Sequence, residues 1–494
     1  MMVPLLLFAA SLGLCSGSYL RVADSDLYPP GGRASTRSAH RRMIASWGGV
    51  ARPSEPSYPV VFPTDYGADP TGTVDSSPAF AQALAAVLSR RSPGKNLSDG
   101  IADLGGCVLD LQGGAYLLSA PLHIPQFVGN MRIIDGTLRA SPAFPAAEYL
   151  LQVGASPCST PSGQGSCNQN IGLSGLTLDG SHAAAGCLLI SSTMGATLDS
   201  SSAIFGFNQT GIHIQGGHEV MVSETWVAAY PWSSPFKETT DTVGILVAGN
   251  DHFLTSVIVY SARVGVKLTG AANKLVDVHT WNEATGNGGT GILNMASQNI
   301  FYGCYLDFTN LVLAVAQQLS FSGGFFLGGA QAVFAARSPS DAVVGVTLSG
   351  NVWYDCSGPS LAVNESSGAF TSVTDLQLTG TAFCGGSSSK ATGLPQATQR
   401  LTAAAGGALP PKTYTVDFAP QLLFPHAGLA SAAAAVSVLA GSAATGCQAA
   451  IVLPSVPAPG QPLTVQVSVT GGQCAAVDVS VDQSSSSSWS VIKV

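Results

Sequence analysis

Charged side chains are scarce in this sequence. Asp, Glu, Lys and Arg make up 10% of its 494 residues, whereas they make up about a quarter of a typical soluble domain. The 20 basic and 28 acidic residues give a formal net charge of −8. Because nucleic acids are held by dense basic surfaces, this balance excludes a general nucleic-acid partner. An acidic polymer would have to be bound by individual basic side chains rather than by long-range attraction.

Long hydrophobic runs are also missing beyond the first residues, so the sequence predicts no membrane partner. The apolar stretch from Leu5 to Leu14 is followed by small residues, which is typical of a secretory signal. We therefore expect residues 1–18 to be a signal peptide and the protein to be secreted. Residues 19–57 hold several arginines among Pro, Gly and Ser without an apolar period, which predicts a disordered or processed leader. A basic arm that binds an acidic polymer is the less favoured alternative.

The sequence contains no Cys-x-x-Cys pair, so no zinc site is predicted and we expect no metal. The GxGxxG spacing that begins at Gly286 lacks a βαβ context, so we also expect no dinucleotide and no other cofactor. Cys158 and Cys167 flank a short polar loop that a disulfide could close. Further pairs could form between Cys356 and Cys384 and between Cys447 and Cys474. Three sequons suit a secreted glycoprotein, and they begin at Asn96, Asn208 and Asn364.

Short apolar strands that recur along the chain are the main pattern in the sequence. The strings "GIHI", "GILV", "GVKL" and "GILN" begin at Gly211, Gly244, Gly265 and Gly291, at intervals of roughly 20 to 33 residues. Each string is followed by a short polar segment and then by a second short strand. Such repeats predict an all-β fold of stacked parallel coils, a parallel β-helix. Leucine-rich repeats would carry a fixed leucine–asparagine consensus, and a β-sandwich would show hairpin turns; neither occurs.

The two ends of this repeat region differ from its middle. Pro78 stands near the start of an Ala-rich segment that follows Asp75, and this predicts one helix that caps the first coil. From about residue 400 the sequence pattern changes. The string "PLTVQVSVTGGQCAAVDVSV" alternates between apolar and polar residues. We therefore expect the parallel β-helix over residues 58–410 and a small antiparallel β module over residues 411–494, which would cover the open edge of the last coil.

Several strings resemble a known family. "DYGADPTGTVDSSPAFAQAL" resembles the amino-terminal signature of the pectate-lyase (pectin lyase-like) superfamily of single-stranded right-handed β-helices. "GGHEVMVSE", "GILVAGNDHFLTSVIVYSARVGVKLTGAANKLVDVHTWNEATGNGGTGI", "YLDF", "FFLGGA" and "YTVDFAPQLLFP" together resemble the quartet-type polygalacturonases of plants. The resemblance covers about residues 59–425. It implies a right-handed β-helix and a cell-wall hydrolase that cleaves α-1,4-galacturonan in pectic polysaccharide. We expect the protein to be a monomer.

The catalytic residues do not follow from this resemblance. Typical polygalacturonases carry Asn-Thr-Asp, Asp-Asp, Gly-His-Gly and Arg-Ile-Lys strings, and none of these occurs here. Two alternatives therefore stay open. The first is a lyase or epimerase that acts on pectate or rhamnogalacturonan with the same fold. The second is a β-helix that binds the cell wall without catalysis.

Candidate site residues follow from what the chemistry requires. Glycoside hydrolysis needs an acid and a second carboxylate, and a uronic acid needs Arg or Lys at its carboxylate. A 21-residue offset between "FLTSVIVY" and "KLVDVHTW" places Ile258 beside His279. Alternation along the strand would put Asp277 and His279 on one side. The catalytic candidates are Asp251, His279, Asp277 and Glu219, and the substrate-binding candidates are Arg263, Lys267 and Trp281. The alternative interpretation makes the carboxylates turn residues, gives Arg263 a salt bridge and assigns Trp281 to packing.

Overall fold

The computed structural model describes most of the chain from Pro59 onward. The described residues are 59–91, 96–98, 100–158, 166–230, 241–281, 289–354, 360–379 and 382–383, and then 396–402, 412–417, 424, 433–439, 448–452, 464–470 and 476–482. The expected signal peptide and leader lie outside these residues, and so do both disulfide pairs that were proposed beyond residue 350.

One helix caps the amino-terminal end of the fold, as the sequence predicts. Strand β1 (Val60–Val61), a 3-10 turn (Pro63–Tyr66) and β2 (Thr71–Asp75) precede helix α1 (Ser77–Leu88). The Asp75 carboxylate accepts the backbone N–H of the first helical residue at 3.1 Å. On its inner side α1 buries Phe80, whose ring meets Tyr116 edge-on at 5.0 Å. The helix thus covers apolar surface at the end of the first coil.

Parallel hydrogen-bonded pairings link thirty-two of the described strands into one β structure that winds through the molecule. The first coils contain β3 (Ala102–Asp110), β4 (Ala115–Leu118), β5 (Leu122–Ile124), β6 (Val128–Ala140), β7 (Tyr149–Val153), β8 (Asn168–Asp179), β9 (Gly186–Met194), β10 (Thr197–Asp199) and β11 (Ala203–Phe205). From residue 210 each coil has three strands, which form three parallel sheets, here called A, B and C. Parallel connections of this kind are right-handed, and the fold is a right-handed parallel β-helix.

The three sheets take one strand each from every regular coil. Sheet A consists of β12 (Thr210–His218), β15 (Val243–Val247), β18 (Val264–Leu268), β21 (Gly289–Asn294), β24 (Thr309–Leu313), β27 (Ala332–Ala335) and β30 (Leu361–Asn364). Sheet B consists of β13 (Met221–Ser223), β16 (Phe253–Thr255), β19 (Lys274–Val276), β22 (Ile300–Tyr302), β25 (Gln317–Ser322), β28 (Val343–Ser349) and β31 (Val373–Thr379). Sheet C consists of β14 (Trp226–Ala228), β17 (Ile258–Tyr260), β20 (His279–Trp281), β23 (Tyr305–Asp307), β26 (Phe325–Leu327), β29 (Val352–Tyr354) and β32 (Ala382–Phe383).

The core is a set of apolar rows that run along the helix axis. In sheet B, Val222, Leu254, Leu275, Phe301 and Phe321 pair in register from coil to coil, and all five are buried. Burying each such side chain contributes about 1.5–3 kcal/mol. The middle residue of each three-residue strand therefore points inward, and the two residues beside it point outward.

Left-handed backbone conformations make the corners between the sheets. At the A/B corner, Glu219 and Asp251 have φ of 50° and 63°. At the B/C corner, Asp277 has a φ of 52°, and the next coil has Gly303 there with a φ of 64°. A Cβ on Gly303 would lie 2.5 Å from Oδ1 of Asp277, so a larger residue there would have to displace that carboxylate.

A ladder of buried polar side chains lines the inside of the A/B corner. The backbone N–H of His252 donates to Oδ1 of Asn273 at 2.9 Å, and the N–H of Asn273 donates to Oδ1 of Asn299 at 2.8 Å. The amide of Asn273 in turn donates to the carbonyl oxygens of Gly249 and Gly270. These bonds satisfy backbone groups that the turn would otherwise bury without partners.

The carboxyl-terminal strands are antiparallel, as expected, but they begin earlier than residue 411. Strand β33 (Gln396–Thr402) pairs with β38 (Ala476–Asp482), which also pairs with β35 (Ala433–Leu439). A second sheet joins β34 (Lys412–Asp417), β37 (Thr464–Thr470) and β36 (Gln448–Val452). The sequence did not predict β33, because local sequence does not reveal its pairing with the distant strand β38.

Aromatic packing joins this carboxyl-terminal region to the late coils. The ring of Phe424 meets Phe334 at 5.1 Å and Phe370 at 5.6 Å, in both cases edge-on, and all three rings are buried. In the amino-terminal half, the predicted disulfide between Cys158 and Cys167 is present.

Candidate functional site

Two of the predicted carboxylates occupy equivalent positions in neighbouring coils. Met221 pairs with Phe253, so Glu219 and Asp251, each two residues earlier, stand one above the other at the A/B corner. Neighbouring parallel strands lie about 4.8 Å apart, which sets the spacing of the two backbones. We call this place, formed by His218, Glu219, Asn250 and Asp251, the carboxylate corner.

An accessible imidazole and an amide surround one of these carboxylates. Nδ1 of His218 lies 3.7 Å from Oδ2 of Asp251, with 35% and 45% of the two side chains exposed. The amide of Asn250 donates to the same Oδ2 at 2.6 Å. Glu219 is exposed beside them. The corner thus offers a solvent-accessible substrate two carboxylates and an imidazole, which are groups that can transfer protons.

A buried histidine supports the carboxylate corner from inside. Nδ1 of His252 accepts the backbone N–H of Val220 at 3.1 Å, so it ties the residue after Glu219 to the residue after Asp251. Burial, with a smaller contribution from His218, lowers the pKa of His252 to about 4, although Asp251 opposes this shift. A neutral ring can accept that hydrogen bond, so His252 fixes the relative position of the two coils.

The two predicted cationic residues lie at different distances from the carboxylate corner. Lys267 faces outward from sheet A, in register with Leu246 and Leu293, and it is the only Lys or Arg within the described strands of that sheet. Arg263 is exposed at the opposite end of the same strand, where its backbone N–H donates to Oγ1 of Thr242. Crossing a five-residue strand separates Arg263 from the corner by roughly 15 Å. Lys267 is therefore the better placed cation.

Asp277 does not join the site in the way that the sequence predicts. The register of Ile258 with His279 is confirmed. However, Asp277 lies in the B/C corner between two strands, where its N–H donates to the carbonyl of Tyr302. Asp277 lies between the strand that ends at Val276 and the strand that begins at His279, so Asp277 and His279 are not members of one strand. Asp277 is an exposed corner residue.

His279 belongs instead to a cluster on the outer side of sheet C. Its ring stacks on Tyr305, with centroids 4.3 Å apart and planes within 6°. Its Nε2 lies 3.9 Å from Oδ2 of Asp307. Burial lowers the pKa of His279 and raises the pKa of Asp307, while a hydrogen bond with Tyr305 partly offsets the rise at Asp307. His279 Nε2 and the other oxygen of Asp307, Oδ1, are inaccessible and have no hydrogen-bond partner.

The sequence analysis missed Asp307 as a partner of His279. The interval between "GVKL" and "GILN" could have revealed this partner, because the same offset places Asp307 beside Trp281 in the next coil. Trp281 stacks on Tyr260 at 5.4 Å, also on sheet C. Sheet C therefore holds His279 and Trp281 away from the A/B corner, and the predicted residues do not form one site.

Neither a metal site nor a membrane span emerges from the described part of the chain. Within it, no group of three or more His, Cys, Asp or Glu side chains is placed to hold a metal ion. None of the helices described there is long and apolar enough to cross a membrane.

Comparisons with known proteins identify one curated relative of high similarity. The chain is 33% identical over 369 residues to Polygalacturonase QRT3 of Arabidopsis thaliana, and the match covers 73% of each protein. No protein-family model matches the chain.

Solved structures give much weaker similarities. Exopolygalacturonase from Thermotoga maritima is 11% identical with a TM-score of 0.38, over 70% of this chain and 96% of that one. The A-module of mannuronan C-5 epimerase AlgE4 from Azotobacter vinelandii is 12% identical with a TM-score of 0.42, over 65% and 96%.

Proposed function

Because this chain belongs to the family of the plant polygalacturonase QRT3, we propose that it binds pectic polysaccharide and hydrolyses α-1,4-galacturonan at the carboxylate corner. The stacking of Glu219 and Asp251 in neighbouring coils carries this proposal, because glycoside hydrolysis requires two carboxyl groups on either side of one bond. The alternatives at His279 and Asp277 offer no such pair.

Each group of the corner has a role in the proposed reaction. Glu219 donates a proton to the leaving glycosidic oxygen as the bond to the anomeric carbon breaks. Asp251, oriented by the Asn250 amide, takes a proton from the water whose oxygen bonds to that carbon. His218 lies within reach of Asp251 and can pass the proton to solvent. One proton is thus given and one taken, and both new sugar ends are hydroxyls.

Lys267 supplies the charge that a uronate requires. It projects from the same sheet whose strands lead into the carboxylate corner, one coil beyond Asp251. An ammonium group at this place binds the carboxylate of a neighbouring sugar through a charge-assisted hydrogen bond. Arg263, at the far end of the strand, would contact a more distant sugar of the same chain.

We also propose that the protein is secreted as a glycoprotein and acts on the cell wall as a monomer. The apolar start of the sequence supports secretion. The sequon residues Asn96, Asn208 and Asn364 are all exposed, which is what an attached glycan requires.

The test is incubation of purified protein with polygalacturonate, with and without calcium. We expect new reducing ends to form without the ultraviolet absorbance of unsaturated uronides. Absorbance that rises together with reducing ends would mean β-elimination and would overturn hydrolysis. Saturable binding without any cleavage, on this polymer and on rhamnogalacturonan, would make the protein a binding component of the wall.

A further inference from the structure

Aromatic side chains lie next to one another on the outer side of sheet C, away from the carboxylate corner. We call this surface the aromatic face, and its rings belong to His279, Tyr305, Phe325 and Tyr354. His279, Tyr305 and Phe325 pair in register along one row, in which neighbouring strands lie about 4.8 Å apart. Tyr354 lies in the row beside it, in register with Leu327.

The rings of the aromatic face touch one another from coil to coil. Tyr305 meets Phe325 edge-on at 5.2 Å, and Phe325 stacks toward Tyr354 at 6.4 Å. Access increases toward the carboxyl-terminal end, where Tyr354 is 61% exposed and Val352 is 39% exposed. Large apolar groups left exposed together on a regular surface indicate a binding surface more often than chance exposure.

The charge of the aromatic face determines which kind of polymer it can bind. Its described strands contain neither Lys nor Arg, and their one carboxyl group is Asp307. Nε2 of His279 and Oδ1 of Asp307 are inaccessible, so neither atom offers a hydrogen bond to a bound polymer. A polyanion finds no cationic partner within these strands. An uncharged pyranose can stack its C–H groups on the rings.

We propose that the aromatic face is a second polysaccharide-binding surface, which holds methyl-esterified and therefore uncharged stretches of galacturonan. The choice of this polymer rests on the proposed function, because it is the uncharged form of the chain that the carboxylate corner would cleave. Esterification removes the charges that Lys267 recognises, so each surface binds a different stretch of one pectin molecule. The aromatic face anchors the protein while the carboxylate corner acts on free uronate.

Matched tyrosines allow a clean test. Tyr354 on sheet C and Tyr302 on sheet B are 61% and 59% exposed. The dissociation constants of wild type, Tyr354→Ala and Tyr302→Ala would be measured by calorimetry with fully methyl-esterified galacturonan, fully de-esterified galacturonan of equal length, and a neutral β-1,4-galactan. We expect Tyr354→Ala to weaken binding of the esterified polymer about tenfold. Tyr302→Ala should leave it unchanged, and Phe325→Leu should weaken it less than Tyr354→Ala does.

Other outcomes would overturn the inference. Equal loss with Tyr302→Ala would point to sheet B, and an equal effect of Tyr354→Ala on de-esterified polymer would remove the charge argument. Tighter binding of the galactan than of the esterified polymer would mean a different occupant. Hydrolysis of de-esterified galacturonan is measured on the same variants and should not change in Tyr354→Ala. If wild type binds the esterified polymer through Tyr354 but cleaves nothing, the proposed function fails while this inference stands.

Discussion

Nδ1 of His218 lies 3.7 Å from Oδ2 of Asp251, across the step between two neighbouring coils. The contact joins the end of one strand of sheet A to the turn that follows the next, so it depends on the vertical register of the coils. His252, one residue later, fixes that register through its bond to Val220. A catalytic group built in this way is positioned by the stacking of the helix and not by a local motif.

Replacing Asp251 with Asn should abolish hydrolysis while leaving the fold intact. Asn tolerates the left-handed conformation that Asp251 adopts, and it keeps the shape of the side chain. The loss of the proton acceptor should lower kcat on polygalacturonate by about 10²–10⁴-fold. Reducing-end release measures the rate, and thermal unfolding checks the fold.

Asp277→Asn is the matched control for that experiment. Asp277 is also an exposed carboxylate at a left-handed corner, but it lies at the B/C corner instead of the A/B corner. Its replacement should leave kcat unchanged within about twofold. If the two variants lose activity equally, the carboxylate corner is not the site of chemistry.

Replacing Lys267 with Met should raise KM for de-esterified galacturonan about tenfold and change kcat little. The ammonium group binds a uronate that does not react, so its contribution should be equal in the ground state and the transition state. Lys274→Met is the control, because Lys274 lies over the ring of Phe253 on sheet B. A fall in kcat with unchanged KM in Lys267→Met would contradict the binding role.

Gly303→Ala should destabilise the protein by about 2–3 kcal/mol. Part of the cost is the left-handed backbone, and the remainder is the clash of the new Cβ with the Asp277 carboxylate. Gly195 also has a φ of 64° but has open space around its Cβ position. Gly195→Ala should therefore cost only about 1 kcal/mol, which isolates the backbone contribution.

A variant that carries Asp277→Gly tests the clash at Gly303 directly. In that variant, the additional free-energy cost of Gly303→Ala should fall toward the cost of Gly195→Ala. Denaturant unfolding of the single and double variants gives the coupling free energy. A coupling near zero would show that the carboxylate moves aside freely.

Sequence periodicity predicted the stacked coils because each coil must bury one apolar row, and that requirement leaves a visible pattern. The 21-residue offset gave the correct pairing of Ile258 with His279. The pattern did not show that Asp277 lies at a left-handed corner between two strands, where alternation of sides no longer applies. A short polar segment does not reveal which of its residues turns the chain.

The grouping of the candidate site was harder to predict than the fold. The equivalence of Glu219 and Asp251 spans a 32-residue coil, whereas the next coil is shorter, so a single offset could not find both contacts. Asp307 was missed for the same reason. Coil length depends on loops between sheets C and A, and local sequence does not determine how many residues such a loop absorbs.

Asn273→Ala should cost about 2–4 kcal/mol, although Asn273 contacts no part of the proposed substrate. Its side chain accepts the N–H of His252 and donates to the carbonyl oxygens of Gly249 and Gly270, all in a buried corner. Alanine would remove these bonds from the N–H of His252 and the carbonyl of Gly249, whereas the carbonyl of Gly270 would keep a bond from the amide of Asn299 at 3.3 Å. Gln377→Ala, at an exposed position, should change the free energy of unfolding by less than about 0.5 kcal/mol. Similar free energies of unfolding for the two variants in urea titrations would show that the ladder of buried polar side chains does not stabilise the fold.

The difference in the free energy of unfolding between Asp307→Asn and wild type should depend on pH. Burial raises the pKa of Asp307 above its ordinary value of 3.8, so the folded state disfavours the ionised carboxylate. The stability that the neutral carboxyl gives is complete below the unfolded pKa and is lost as pH rises through the folded pKa. His279 offers little compensating charge near pH 7, because burial lowers its pKa too. Asp307→Asn should therefore stabilise the protein at pH 7, and the gain should vanish near pH 3.5.

Asp341→Asn should show the opposite sign and serves as the control. Burial opposes ionisation of Asp341, but hydrogen bonds from Arg337 and Ser338 outweigh it and lower the pKa. Its stabilising effect is present above the unfolded pKa and is lost as pH falls through the folded pKa. Asp341→Asn should thus destabilise at pH 7 and approach wild type in acid. Denaturant unfolding of both variants between pH 3.5 and 7.5 measures the two slopes, and slopes of equal sign would refute the assigned direction for one of the two carboxyl groups.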